Sequence, residues 1–264
     1  MSLPEFDVSG QKVLIVGAGR GIGKGIALAF AEAGADVAIA SLTETTVGQV
    51  AKEIRSMGGV ALPVTGDATK ASGMDKIAFE VLAEFGHIDT LVTCVGDSIR
   101  KPVAKLPGSD EEGMTEDDWN RVVNINLTEA FQACRAIGPH MLERSQGSVI
   151  NISGWASFRG RPGYSAYDAA KAGVMRFTET VAQEWAPYGV RVNAVAPGSF
   201  PDPEQMSAEA YAERQESAKD RIPLRRMGNL KEPGYLCVFL ASPAASYVTG
   251  QTWAVDGGIS IKQP

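Results

Sequence analysis

Few folds are open to a chain that runs a short apolar stretch into spaced glycines and then into an alanine-rich, helix-patterned segment. Residues 12–34, KVLIVGAGRGIGKGIALAFAEAG, do this. KVLIVG has the uninterrupted β-branched character of a strand buried on both faces. GIGKGIALAFAEAG carries apolar residues at helical spacing and closes at Gly34, where a helix end favours glycine. Between them, Gly17, Gly21 and Gly23 allow a tight turn and a close backbone approach. A helix N-terminus there offers free N–H groups and positive potential to an anion such as a pyrophosphate. The glycine spacing alone is weak evidence; set between strand and helix it points to a nucleotide.

The same alternation continues to the end of the chain. DVAIAS, GVALPVTGD, IDTLVTCVG, GSVINIS, VRVNAVAPG and GQTWAVDGG read as six further strands. Helical patterns separate them at Glu44–Met57, in MDKIAFEVLAEFG, over Glu116–Arg144 and over Tyr164–Tyr188. Strands alternating with helices of this length predict an α/β fold with a parallel sheet covered on both faces. Right-handed crossovers make it doubly wound. With no repeat or linker, residues 1–264 are expected to form one seven-stranded domain. Two long polar segments, 96–119 and 197–221, follow strand carboxyl ends, where ligands bind in open α/β sheets. The stretch 199–221 is expected to be a substrate-binding lid.

Composition narrows the function classes. A net charge of -6 without a basic block argues against nucleic acid as a partner. No apolar run reaches the length of a membrane span, and MSLPEFDVSG lacks the features of a signal peptide. Cys94, Cys134 and Cys237 lie far apart without zinc spacing, so reduced thiols, no metal and a cytoplasmic setting are the expectation.

Gly17, Gly21 and Gly23, Asp67 in GDAT, Gly96, Asn126 in NINL, Tyr167 with Lys171, Pro197-Gly198 and VTGQTWAVDGG occur in one order along nearly the whole chain. In this it resembles the short-chain dehydrogenase/reductase family. The resemblance implies a Rossmann-type domain and a nicotinamide cofactor held by Gly17, Arg20, Gly21, Ile22, Gly23, Ser41, Asp67, Ala68, Gly96, Tyr167, Lys171, Pro197 and Gly198. Asp67 and the Ala68 backbone would hold the adenine. Several positions depart from the family pattern. Val16 replaces a threonine, TCVG replaces N-N-A-G, and Asp202 stands at the threonine that would contact the nicotinamide.

The second strand ends in Ser41, not in a carboxylate that would bind a ribose 2′-hydroxyl and repel a 2′-phosphate. Arg20 is placed to pair with such a phosphate, although Leu42 stands where a second arginine is common. NADP(H) is therefore favoured over NAD(H).

Hydride transfer to a carbonyl needs a proton donor at the developing alkoxide, and a phenol with a pKa of about 10 is a poor one unaided. Tyr167 and Lys171, four apart on a predicted helix, share a face. The resemblance implies that Tyr167 is the acid/base and that Lys171 lowers its pKa and bonds the nicotinamide ribose. It implies that Asn126 kinks the long helix and holds a relay water; Asn124 is its decoy.

The family's fourth member is a serine thirteen residues before the tyrosine. That position is Gly154 here, and Ser153, one residue off, would face the other way along a strand. Loss of one oxyanion donor costs about 10²–10³ in rate. Tyr164, Ser157 or a water could substitute for it.

Gly154, Trp155 and Tyr164 are expected to line the substrate pocket. Tyr164 also lies seven before Lys171, a spacing that resembles enoyl thioester reductases of the same superfamily. The leading reading is an oxidoreductase acting on a carbonyl/alcohol pair of a small molecule. An enoyl reductase and a silent nucleotide-binding or regulatory protein are the alternatives. The long helices resemble those that pair subunits in this family, which implies a homotetramer.

Overall fold

A computed structural model describes residues 3–262. Seven strands form one parallel sheet: β1 (Lys12–Val16), β2 (Asp36–Ser41), β3 (Ala61–Thr65), β4 (Thr90–Thr93), β5 (Gly147–Ile152), β6 (Val190–Pro197) and β7 (Thr252–Val255). Their order across the sheet is β3-β2-β1-β4-β5-β6-β7. The winding reverses between β1 and β4, and a crevice opens there at the carboxyl edge.

Strand periodicity sorts the core into two layers. Val13 and Ile15 of β1 face one side, packed with Ile26 and Phe30 of α1 (Gly21–Glu32) and Ile54 of α2 (Glu44–Ser56). Leu14 and Val16 face the other. There they meet Met74 and Ile77 of α3 (Ala71–Phe85), Ile137 and Met141 of α5 (Glu129–Glu143), and Val181 of α6 (Ser165–Trp185). All of these side chains are buried, which accounts for strands without polar alternation.

The long helical run expected over 116–144 is broken in its middle. α4 (Glu116–Val123) begins at a capping box between Thr115 and Asp118, and a π turn over Asn124–Thr128 then joins it to α5. The segment 199–221 contains a short 3-10 turn, Pro203–Gln205, and α7 (Ala208–Arg221), which Ser207 caps. Its Ala218 and Ile222 bury against Met227 and Ile259, with Trp155 alongside.

One helix is absent from the sequence reading: α8 (Glu232–Ala241). It is apolar on nearly every side and packs closely on α1, where a Cβ on Gly25 would collide with the Leu230 carbonyl. Such a helix leaves no amphipathic signature.

Candidate active site

The glycine turn sits at the carboxyl end of β1. Gly17 has φ +90°, and a Cβ there would lie 2.7 Å from the Cys94 carbonyl carbon at the end of β4. A Cβ on Gly23 would be 2.2 Å from the Gly17 carbonyl oxygen. Backbone, turn and helix thus touch without side chains between them, and α1 starts hard against the crevice.

An acidic side chain already caps that helix. Asp202, 8% exposed, accepts the Gly21 N–H at 2.9 Å through Oδ2 and the Glu204 N–H at 3.0 Å through Oδ1. Lys24 pairs with Glu204 at 2.8 Å, and Arg20 Nη1 reaches Gln205 Oε1 at 3.4 Å. One carboxylate oxygen thus caps the first N–H of α1, the end of a helix that favours negative charge.

Next to the turn, three hydroxyls gather. Ser41 Oγ and Thr46 Oγ1 are 2.9 Å apart, Thr43 Oγ1 is 2.7 Å from Thr46 Oγ1, and a Cβ on Gly19 would press on Ser41 and Thr46. Farther along, the Asp67 carboxylate accepts from Thr69 N–H and Oγ1 and lies 3.3 Å from Lys70. These hydrogen bonds, above all that from the Thr69 hydroxyl, hold its pKa below the usual carboxylate value. Ala68 is buried beside it, Ile22 packs on the core at the start of α1, and a Cβ on Gly198 would strike Asp256.

Across the crevice, α6 presents Tyr167 and Lys171 one turn apart. A buried polar ladder fixes the helix: Thr93 Oγ1 donates to Asn151 Oδ1 at 2.9 Å, and Asn151 Nδ2 donates to Thr178 Oγ1 at 3.0 Å. Lys171 is 3% exposed; its ammonium donates to the Ile152 carbonyl at 2.9 Å and lies 6.0 Å from the Tyr167 ring centroid. Burial lowers the Lys171 pKa, and the carboxyl of Glu129 opposes that.

Asn126 is 1% exposed in the π turn. Its Nδ2 donates to the carbonyls of Asp97 at 2.6 Å and Val122 at 2.9 Å. Its Oδ1 finds no donor among the described residues. A Cβ on Gly96 would lie 3.2 Å from that oxygen and 3.5 Å from Lys171 Nζ, so the three meet at one point. Asn124, at the head of the π turn, makes no comparable side-chain bond among the described residues.

A Cβ on Gly154 would stand 3.5 Å from the Tyr167 hydroxyl and meet nothing else. Ser153 turns away and donates to the Val195 carbonyl of β6 at 3.3 Å. The hydroxyl is therefore missing at the phenol and has not moved to the neighbouring residue. Tyr164 is the residue before α6, and its ring lies under Arg161.

Two charged groups in this region have no place in the sequence reading. Arg161 Cζ lies 4.2 Å from the Tyr164 ring centroid, 4.9 Å from Trp155 and 5.5 Å from Tyr167. Asp168 holds it by Nη2 at 2.6 Å and Nε at 3.2 Å. Burial raises the Tyr167 pKa, and Arg161 is the leading charge that pulls it back.

The second group is Glu129, 1% exposed, with Oε1 enclosed and without a partner among the described residues. Burial pushes its carboxyl up to about 8 against the pull of Lys171. The signals for both were present: a charge three residues past Asn126, and an Arg–Asp pair seven apart that brackets both tyrosines.

A protein-family model described as Enoyl-(Acyl carrier protein) reductase matches residues 17–260. The 3-oxoacyl-[acyl-carrier-protein] reductase FabG of Thermotoga maritima is 35% identical over 96% of this chain and 99% of its own length. The 2-dehydro-3-deoxy-D-gluconate 5-dehydrogenase of Escherichia coli is also 35% identical, over 98% of each chain. A solved gluconate 5-dehydrogenase from Burkholderia cenocepacia, in complex with NADP and tartrate, superposes with a TM-score of 0.88 at 32% identity, covering 98% of this chain and 99% of its own. The sheet order, the glycine turn at its switch point and these matches along the chain agree: the protein belongs to the short-chain dehydrogenase/reductase family, nicotinamide-dependent oxidoreductases.

Proposed function

We propose that the protein interconverts a carbonyl and an alcohol with NADP(H), using Tyr167 as the acid/base. The observation that carries this is the open approach to the Tyr167 hydroxyl beside Gly154, with Lys171 fixed beneath it on the Ile152 carbonyl. The helix N-terminus at Gly21 and the bare backbone between Gly17, Gly23 and β4 fit a dinucleotide diphosphate. When bound, the nicotinamide gives or takes the hydride.

Within that reading, Gly17, Gly21, Ile22 and Gly23 bind the diphosphate, Asp67 and Ala68 the adenine, and Gly96, Pro197 and Gly198 flank the nicotinamide half. Tyr167 donates its proton to the oxygen of the reduced carbonyl. Lys171 stabilises the phenolate that results and orients the ribose. Asn126 holds open the path by which a water returns the proton. General acid help of this kind contributes roughly 10²–10⁴-fold.

NADP(H) is favoured over NAD(H) because Ser41, Thr43 and Thr46 offer hydroxyls beside Arg20, with no carboxylate to repel a 2′-phosphate. The solved relative with bound NADP is consistent with it. The homotetramer belongs to the same reading; Trp119 and Phe131 are exposed on α4 and α5, and Tyr247, Trp253 and Ile261 near the C-terminal strand.

The test is a screen of ketones and enoyl thioesters with NADPH and NADH, on the wild type, Tyr167→Phe and Tyr164→Phe. Ketone reduction with NADPH, lost in Tyr167→Phe while NADPH still binds, is the expected result. Loss in Tyr164→Phe with enoyl thioesters as substrates would establish an enoyl reductase instead. Tight NADPH binding without turnover of any substrate would leave a silent nucleotide-binding protein.

A further inference from the structure

Arg161 is a cation placed among rings, close to the reacting phenol. Its guanidinium lies 4.2 Å from the Tyr164 centroid, with Trp155 at 4.9 Å and Tyr167 at 5.5 Å. One of those rings is Tyr167 itself, whose hydroxyl lies 3.5 Å from where a Cβ on Gly154 would stand, and Trp155 follows Gly154 in the chain. The Arg161 side chain keeps 24% of its surface exposed. A long charged side chain in a surface loop normally extends into water; this one is held in.

What holds it is Asp168, 9% exposed, one residue past the tyrosine. The carboxylate binds the Nε and Nη2 edge and also accepts the Arg161 backbone N–H at 2.8 Å. That clamp fixes the loop through the backbone bond alone, so the guanidinium is not needed for it. The Nη1 group has no acceptor among the described residues. A guanidinium can serve two carboxylates at once, because its five donors divide between two edges.

We propose that Arg161 is a specificity-determining residue that binds a carboxylate on the substrate, so that the preferred carbonyl compounds are anionic oxo acids. This rests on the carbonyl/alcohol reading above and names its substrate class. Gly154 supports it: without a side chain beside Tyr167, a carboxylate near the carbonyl has room to lie toward Arg161. The aromatic walls keep the charge in a poorly hydrated setting, where a charge-assisted hydrogen bond discriminates most.

The test is the ratio of kcat/KM for acetoacetate to that for methyl acetoacetate, with NADPH, at low and high salt. The wild type should favour the acid by about tenfold or more, less at high salt. In Arg161→Met that ratio should fall by roughly 30-fold, carried by KM, and Arg161→Lys should restore part of it. Equal treatment of acid and ester by the wild type, or a ratio untouched in Arg161→Met, overturns the proposal while leaving carbonyl reduction intact.

If Arg161→Met fails to fold, malonate inhibition of ester reduction in the wild type and in Arg161→Lys decides. Competitive inhibition that weakens in the lysine variant supports the proposal, and its absence in the wild type overturns it. A wild type that reduces neither these ketones nor any other is a failure of the carbonyl reading itself.

Discussion

Asp202→Asn should tighten cofactor binding while it loosens the protein. In the structure the Asp202 carboxylate accepts the first N–H of α1 at 2.9 Å and is itself buried. A diphosphate bound at that helix N-terminus would bring like charge against it. Two unit charges about 5 Å apart at an effective dielectric near 20 repel by ~3 kcal/mol. Rotation of the side chain toward water, at the cost of one hydrogen bond of about 1 kcal/mol, relieves much of this.

The net handicap is therefore about 1–2 kcal/mol, or roughly tenfold in Kd. Asparagine keeps an acceptor for Gly21 and loses the charge. Titration of NADPH against protein fluorescence should show a Kd lower by about tenfold in the variant, with the gain shrinking in high salt. The melting temperature without cofactor should fall by a few degrees, because a charged partner at a helix N-terminus is worth about 0.3–1 kcal/mol. Weaker NADPH binding in Asp202→Asn, or a gain indifferent to salt, would refute the electrostatic reasoning.

Two other substitutions probe the floor and the back of the site. Gly154→Ser places a hydroxyl near Tyr167 and should preserve or raise the reduction of uncharged ketones, by up to about tenfold where the missing donor limits the rate. A sharp fall in kcat/KM would show that the substrate fills that space. Glu129→Gln removes a carboxyl that burial pushes up to about 8. An unfolded glutamate titrates near about 4.3, so the native state holds an extra proton in between, and stability falls as pH rises through that window. The melting temperature of Glu129→Gln relative to wild type should therefore climb between about pH 5 and pH 8; a constant difference would count against a buried, raised carboxyl.

The sheet was legible because its central strands are buried on both faces and most connecting helices are amphipathic, so period separates them. Helix α8 was not, since an apolar helix with proline and glycine in its first turn carries no such period. At the site, Tyr167, Lys171 and Asn126 were picked out by the resemblance of their motifs to the family, and the structure brings Lys171 and Asn126 together at Gly96. Glu129 was not, because its surroundings are made by elements distant in sequence, and Arg161, whose partners Trp155, Tyr164, Tyr167 and Asp168 lie within seven residues, forms no pattern that helix or strand period would mark. Glu129 looks like any polar residue of a helix until α6 brings Lys171 within its field. Asp202 was visible as a departure from pattern, but its contact with Gly21 spans 181 positions and depends on how the segment after β6 folds back.

The π turn at Asn124–Thr128 has a consequence for how the molecule can meet another copy of itself. The Glu129 N–H reaches back five residues to the Asn124 carbonyl, so one residue more than an α-helix needs is wound into the run. Each residue advances the helical phase by about 100°, and the side-chain rows of α4 and α5 are out of step by that amount. A straight partner helix cannot follow one groove along both. It must seat on α5, beside the exposed Phe131, or on α4, beside Trp119, or carry the same phase jump itself. A second copy related by a twofold axis carries that jump by construction.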